Sequence, residues 1–319
     1  MIRTVSGDLH PDRLGIASCH DHLLIRGGIL TKDADFRLDD LEKAVEELGY
    51  FKGAGGNALV DAIPPGLGRD PEGLRALSER TNLNIVAVTG FHKTLYYDSE
   101  HWLFWYEAKT IADLVTAEIL DGMDIYGYRG PIVQRSKARA GAIKLATRYW
   151  QFNAVEEKLF EAVAMAQVRT GVPIITHTED GTLGLEQALR LIALGVDPGR
   201  IVVGHFDKNP DPGLHLECLA LGVNLQYDQP SRFKYGPDAR VVDLLRRVVD
   251  AGFADRIVFG HDFAKRSYWL SYAGGPGMGY LLGRFVPRLR LEGFSEDVLE
   301  RILRRNPARI FDRAVGGEA

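Results

Sequence analysis

Short apolar runs rich in valine and isoleucine recur along this chain, and each is followed by a longer segment in which apolar residues return every three or four positions. The short runs predict buried strands, and the wider spacing predicts amphipathic helices. We predict eight strands, at residues 15–20, 58–62, 85–89, 142–145, 173–177, 201–205, 223–227 and 257–262. The helices predicted between them are 39–52, 71–80, 111–122, 154–170, 184–194, 213–221 and 239–251.

The order of these elements indicates the fold class. Near-continuous apolar strands that alternate with helices are typical of a parallel sheet, and eight such units favour closure into a (β/α)8 TIM barrel. An open, doubly wound sheet is the alternative. The 319 residues contain no internal repeat and no low-complexity linker, so we predict one barrel domain over residues 1–319.

Candidate metal ligands stand where the predicted strands end. His20 and His22 are one residue apart, and residues so spaced on a strand point to the same face and can hold one ion. The active sites of such barrels lie at the carboxyl ends of the strands. Six residues of metal-binding or charged character fall at that edge: His20, His22, Lys144, His177, His205 and Asp262. Any one of these residues alone is better explained by a hydrogen-bonded structural role, but the group predicts a divalent-metal site.

The donor types narrow the metal chemistry. Imidazole nitrogens with a carboxylate suit zinc, the ion we expect, or manganese, cobalt or iron. Four histidines and an aspartate exceed what one catalytic zinc usually takes, and two ions that share a hydroxide are more economical. A protonated Lys144 would be repelled by such ions. Lys144 is therefore a neutral amine, a covalently modified anionic lysine, or a residue that points away or pairs with a carboxylate.

Composition limits the partners and the compartment. Hydrophobic residues make up 45% of the chain, charged residues 26%, and the net charge is -4 without a long basic block. We therefore expect a globular protein with no nucleic-acid or membrane partner. The chain has no apolar segment typical of a signal peptide or a membrane span, which predicts a cytoplasmic protein. Its two cysteines, Cys19 and Cys218, predict neither a disulfide framework nor a thiolate site, and Cys19 is expected to face away from His20.

At this point the chain resembles the phosphotriesterase-like branch of the amidohydrolase superfamily, which includes phosphotriesterases, lactonases and phosphotriesterase homology proteins. The matching segments are Cys-His-Asp-His-Leu (19–23), Gly-Leu-Gly-Arg (66–69), Val-Thr-Gly (88–90), Ala-Ile-Lys (142–144), Ile-Ile-Thr-His-Thr (174–178), Thr-Leu-Gly-Leu-Glu-Gln (182–187), Val-Gly-His (203–205) and Asn-Pro (306–307). They span nearly the whole chain in order, and they are specific as a set.

The resemblance implies a distorted barrel with a binuclear centre. By this resemblance His20, His22 and Asp262 hold the buried ion, and His177 and His205 hold the more exposed one. Lys144, carboxylated by carbon dioxide, would bridge the two. Asp262 would accept a proton from the attacking hydroxide, which makes Asp262 and Lys144 the predicted catalytic residues. Relatives are often dimers, so a homodimer is an expected assembly.

Two loops point to the substrate. The loops after the seventh and eighth predicted strands are rich in lysine, arginine and tyrosine, which can bind a phosphate, and a glycine-rich segment at 274–279 leads into a predicted helix. They resemble the sub-branch that acts on phosphorylated sugar lactones, and by that analogy Lys234, Arg266 and Tyr272 are the anchors. Solvated loop charges are the simpler alternative. His92 stands where many relatives carry a tyrosine, and it either replaces that contact or lies in a loop.

We therefore predict a hydrolase that opens a lactone ring, in particular a phosphorylated sugar lactone, through a metal-bridging hydroxide. The rivals are a phosphotriesterase with secondary lactonase or esterase activity, a non-catalytic binding barrel and a single-metal deaminase, which would not need Lys144. The expected small-molecule partner is thus a lactone or a phosphoester. His215 falls in a polar context typical of a surface and receives no role.

Overall fold

The structure is a computed structural model, and it describes residues 1–313. An antiparallel hairpin of β1 (Ile2–Thr4) and β2 (Gly7–Leu9) comes first. Eight parallel strands then form one sheet in sequence order. They are β3 (Ala17–Asp21), β4 (Ala58–Asp61), β5 (Asn84–Gly90), β6 (Ala142–Ala146), β7 (Ile174–His177), β8 (Ile201–Gly204), β9 (Asn224–Tyr227) and β10 (Ile257–Phe259).

The sheet closes on itself between its first and last strands. The backbone N–H groups of His261 and Asp262, just after β10, both donate to the carbonyl oxygen of His20 in β3, at 3.1 and 2.9 Å. The predicted barrel is therefore confirmed, and the open-sheet alternative is wrong. Closure also places the metal-ligand candidates at the first barrel strand, His20 and His22, next to Asp262, which follows the last strand.

Helices cover the outside of the barrel. The seven predicted from the spacing are α1 (Leu41–Gly53), α2 (Pro71–Thr81), α3 (Ala108–Leu120), α4 (Ala154–Thr170), α5 (Gly184–Ala193), α6 (Pro212–Ala220) and α7 (Asp238–Asp250). Three short helices follow, α8 (Val286–Leu291), α9 (Glu296–Glu300) and α10 (Asn306–Phe311). Helix α4 begins where it was predicted to begin because Asn153 and Glu156 form a capping box, which satisfies otherwise unpaired N–H groups of the first turn. No helix within residues 1–313 is long and apolar enough to cross a membrane.

An apolar cluster fills the barrel interior. Alternate residues of most barrel strands form it, and Ile2 and Phe311 pack against them. Cys19 belongs to this cluster, so the expectation that it faces away from His20 is wrong. The pairing of β3 with β4 shifts register between Ser18 and Asp21, and an irregularity of this kind breaks the strict alternation of side chains.

His215 corrects a second expectation. It lies on α6 and is fully buried rather than at the surface. Its Nδ1 is 2.6 Å from the hydroxyl of Tyr227, and its Nε2 is 3.0 Å from the carbonyl oxygen of Asn209. The histidine thus ties a helix to β9, a structural role that the polar sequence around it did not indicate.

Candidate metal centre

The six predicted ligand residues meet at the carboxyl end of the barrel. Lys144 lies on β6, His177 ends β7, and His20 lies on β3 with His22 just after it. His205 directly follows β8 and Asp262 lies three residues after the end of β10, with φ angles of 57° and 53°. This left-handed conformation is rare outside glycine, and non-glycine examples concentrate at functional sites. Here it turns both side chains back towards the barrel axis.

Distances show how tightly the group is assembled. His22 Nε2 is 3.1 Å from Asp262 Oδ1, and Lys144 Nζ is 3.0 Å from His20 Nε2. The ring of His205 lies 4.6 Å from that of His20 and 4.5 Å from that of His177, centroid to centroid. Ligand atoms of His20, His22 and Asp262 all lie within 4.8 Å of one another. The structure therefore brings together all six residues that the strand ends predicted.

The residues present fit a divalent-metal site. The Nε2 atom of His177 is buried and has no hydrogen-bond partner within residues 1–313, a costly arrangement unless a ligand takes its lone pair. Burial lowers the pKa of His20, His177 and His205 well below the usual histidine value. These imidazoles are therefore neutral, which is the form that binds metal. The donor set is nitrogen and carboxylate oxygen, as zinc, manganese, cobalt and iron accept.

Lys144 points into the site and is fully buried. Within residues 1–313 no carboxylate oxygen lies within 4.0 Å of the Nζ atom of Lys144, which is the largest distance of an ion pair. Two of the interpretations left open by the sequence, a side chain that points away and one that pairs with a carboxylate, are therefore wrong. Burial, opposed by the negative charges of Asp262 and Asp228, lowers the pKa of Lys144 to about 8. A neutral or covalently modified lysine remains.

A polar layer behind the ligands was missed at the sequence level. His205 Nδ1 is 2.8 Å from Asp228 Oδ1, and His20 Nδ1 is 2.8 Å from Gln226 Oε1. Such partners fix the orientation and tautomer of a metal-binding histidine and leave the other nitrogen for the ion. The signal was present in the alternation of β9, because Asn224, Gln226 and Asp228 are spaced two apart and share one strand face.

Arg232 is a second missed residue, and it reaches the metal centre from the loop after β9. Its guanidinium forms an ion pair with Asp262 Oδ2. The rings of Tyr235 and Tyr268 lie 4.9 and 5.5 Å from its central carbon. Although burial opposes it, the charge of Arg232 and the hydrogen bond from His22 hold the pKa of Asp262 well below its usual range.

A cavity of about 190 Å³ opens in front of the ligands. Besides five of the six ligand residues, its lining comprises Leu30, Phe36, Ile63, His92, Lys93, Tyr96, Glu179, Asp180, Lys208, Arg232, Tyr235 and Ala264. Larger clefts of about 510 and 620 Å³ lie nearby between loops that contain none of the ligands. We place the chemistry in the smaller cavity because the metal-binding donors face it.

The predicted substrate-binding residues are distributed unevenly. His92 lines the cavity with its ring 4.6 Å from that of His177, and its Nδ1 accepts the N–H of Lys93. The Nζ atom of Lys234 lies 4.8 Å from the ring centre of Tyr235, beside the cavity. Arg266 and Tyr272 do not line it.

Arg266 is instead held by the segment before α1. It forms an ion pair with Asp39 at 2.7 Å and stacks on Tyr272 at 4.7 Å. The hydroxyl of Tyr272 accepts the N–H of Asp40 at 3.3 Å. These side chains brace the loop after β10, and the role of Arg266 and Tyr272 as phosphate anchors stays a prediction.

Comparison with known proteins agrees with this geometry. The family model described as "Phosphotriesterase family" matches residues 1–311. The chain is 37% identical over 320 residues to a phospho-furanose lactonase of Mycoplasmopsis synoviae, with 97% of this chain and 91% of that protein covered.

Solved structures give the same result. An amidohydrolase from Mycoplasma synoviae superposes with a TM-score of 0.96 at 35% identity, covering 98% of this chain and 92% of the other. A lactonase from Listeria monocytogenes superposes with a TM-score of 0.91 at 29% identity, covering 98% and 99%.

Proposed function

This chain belongs to the phosphotriesterase family and is a metal-dependent hydrolase, and we propose that it opens the rings of phosphorylated sugar lactones. One observation carries the choice of substrate. Lys208, Arg232 and Lys234 surround the ring of Tyr235, with their charged groups 4.5, 4.9 and 4.8 Å from its centre. This cationic group, directly beside the metal ligands, suits a phosphate dianion. The similarity to a phospho-furanose lactonase supports the same substrate class.

The centre would hold two divalent ions, and zinc is the ion we propose. His20, His22 and Asp262 would bind one, His177 and His205 the other, and a carboxylated Lys144 would bridge them. When bound, the ions would polarise the lactone carbonyl and lower the pKa of the attacking water. The buried position of Lys144, without a carboxylate partner within residues 1–313, supports carboxylation, because a neutral amine can add to carbon dioxide and the resulting anion would suit the site.

The protein's own residues complete the reaction. Asp262 would accept the proton of the attacking water at Oδ2 and return it to the ring oxygen that leaves. His92 would contact the substrate beside the more exposed ion, because its ring packs on His177. The three cations would bind the substrate's phosphate away from the reacting carbonyl and so orient it. The product is a ring-opened acid.

The rival functions fit the cavity less well. A neutral phosphotriester has no group for three neighbouring cations, so organophosphate hydrolysis is at most a secondary activity. A non-catalytic barrel has no use for a complete set of buried metal donors. We further propose that the protein is cytoplasmic and forms a homodimer, as the sequence and the resemblance lead us to expect.

A substrate panel tests this proposal. Protein reconstituted with zinc and bicarbonate would be assayed with a 1,4-lactone of a pentonic acid, the same lactone carrying a 5-phosphate, and a dialkyl aryl phosphotriester. We expect the phosphorylated lactone to give the highest kcat/KM. A preference for the triester, or equal rates on both lactones, would reject the proposed substrate.

A further inference from the structure

Arg232 connects two parts of the site that have different tasks. Its Nη1 donates to Asp262 Oδ2, and its Nη2 lies 3.5 Å from the hydroxyl of Tyr235, on the side of the cationic group. The residue is 7% exposed, so its guanidinium has little water to replace either contact. One side chain therefore links the carboxylate of the metal centre to the region that we assign to the phosphate.

The ion pair conflicts with the task of Asp262. Its Oδ1 already faces His22 Nε2 at 3.1 Å, so Oδ2 is the oxygen left to receive a proton. Arg232 occupies that oxygen. While the guanidinium donates to Oδ2, it stands where the attacking water would have to approach that oxygen. Arg232 must therefore move before Asp262 can act.

The residues around Arg232 would attract an anion that competes with Asp262 for its guanidinium. Within residues 1–313 neither Lys208 nor Lys234 has a carboxylate within ion-pair distance, whereas Arg232 has Asp262. Two unpaired ammonium groups beside a guanidinium would draw a phosphate dianion to the ring of Tyr235. A guanidinium binds phosphate through two parallel hydrogen bonds, so a phosphate there competes directly with Asp262 for Arg232.

We propose that Arg232 exchanges partners during the reaction: the phosphate of the substrate takes its guanidinium from Asp262 and so frees Oδ2 to accept the proton. This inference rests on the proposed function. The oxygen of water then bonds to the carbonyl carbon, the ring C–O bond breaks, and the proton passes through Asp262 to the ring oxygen. Arg232 keeps its charge throughout and touches the phosphate, so it is both a specificity-determining and a positioning residue.

The exchange has a kinetic signature that simple phosphate binding lacks. If the phosphate only anchored the substrate, its removal would raise KM and leave kcat nearly unchanged. If it also frees Asp262, its removal lowers kcat as well, because binding energy from a remote group is used at the reacting centre. A separate small anion that fills the phosphate position should then restore part of the lost rate.

Inorganic phosphite is the probe for the test. The zinc-reconstituted wild-type protein would hydrolyse the unphosphorylated 1,4-lactone with increasing phosphite, and kcat for the phosphorylated lactone would be measured in parallel. We expect phosphite to raise the rate on the short substrate by about tenfold or more. Arg232→Gln should lose this activation, and its kcat values for the two lactones should converge. Arg247→Gln, an exposed arginine on α7, is the matched control and should behave like the wild type.

Two further measurements keep the outcomes separate. Arg232→Lys retains the positive charge but cannot form the bidentate hydrogen bonds of a guanidinium. It should also lose most of the activation by phosphite. It replaces Arg232→Gln if that variant fails to fold. Line broadening of the phosphite ³¹P signal reports binding without turnover and should weaken in both variants. Wild-type protein that hydrolyses the phosphorylated lactone but is only inhibited by phosphite would overturn the exchange. Wild-type protein inactive on every lactone would instead reject the proposed function.

Discussion

Single backbone and side-chain conformations decide which donors face the metal centre. His205 and Asp262 both have left-handed backbone conformations, and both side chains reach ligands that lie on other strands. His20 and His22 follow the rule that residues two apart share a face, although Cys19 joins the interior because β3 is irregular. The period-2 argument therefore found the correct histidines but not the direction of Cys19, the residue that precedes them.

Buried polar residues outside the metal centre also have identifiable tasks, and His215 offers a test of pH dependence. Burial lowers the pKa of His215 from 6.5 to about 4. The unfolded chain thus binds a proton more readily than the folded protein, so this contribution to stability is present above pH 6.5 and is lost as pH falls towards 4. The loss amounts to roughly 3 kcal/mol.

We expect His215→Gln to reduce the fall in melting temperature between pH 6.5 and pH 4. Differential scanning calorimetry of the metal-free protein measures it, since metal loss would otherwise add its own pH dependence. His10→Gln is the control because His10 is exposed, with 62% of its side chain accessible. A variant whose melting temperature falls as steeply as that of the wild type would show that other groups dominate the acid instability.

At the scale of elements, a buried ion pair joins two of the connections between barrel strands. Arg69, in the loop before α2, binds Glu118 of α3 through two hydrogen bonds of 2.7 and 2.6 Å, and both side chains are almost fully buried. Glu118 also accepts the N–H of Asp124 at 3.0 Å. The pair therefore joins the connection after β4 to the long segment between β5 and β6.

Breaking this pair should be far more costly than breaking its exposed counterpart. Glu118→Gln leaves the guanidinium of Arg69 buried without a counter-charge, which typically costs about 3–5 kcal/mol. Glu42→Gln is the control, because Glu42 and Arg80 have the same two-pronged geometry at 2.6 and 2.7 Å on the surface. Chemical denaturation monitored by circular dichroism compares the two. Equal midpoints for both variants would contradict the structural importance of the buried pair.

Most elements were predictable from local spacing, and the failures have local causes. All eight barrel strands and seven helices lie where the apolar pattern placed them, within a few residues. The β1–β2 hairpin was missed because three residues give no readable alternation. The helices α9 and α10 were missed, and a π-helical turn at Arg301–Arg305 interrupts the spacing between them, as a turn at Leu281–Phe285 does before α8. The helix predicted after the glycine-rich segment 274–279 is present: it starts with the turn at Leu281–Phe285 and continues as α8.

At the scale of the whole molecule, closure of the barrel makes one site from donors that the chain keeps far apart. His20 and Asp262 are separated by most of the sequence, yet they meet where β3 adjoins β10. Ions that bind donors from five strands would hold the closed barrel together, because they bind the folded chain and not the unfolded one. The prediction of a single domain over residues 1–319 stays untested.

Metal removal should therefore lower both stability and activity. After chelation we expect a lower melting temperature, restored by zinc, manganese or cobalt but not by magnesium, which prefers oxygen ligands. Restoration should be faster with bicarbonate if Lys144 is carboxylated. Calorimetry and elemental analysis of the protein follow the two effects. An unchanged melting temperature in a protein proven to be metal-free would argue against the proposed centre.

The sequence by itself determined the barrel and the candidate metal-binding donors, because both depend on local patterns: apolar periodicity defines strands, and polar residues at strand ends must share one edge of a parallel sheet. Only the tertiary structure decided how those donors are partnered. The contacts of Asp228, Gln226 and Arg232 join loops and strands with no fixed spacing along the chain. Which charges pair, and which remain free for a substrate, depends on loop conformations that packing across the barrel sets.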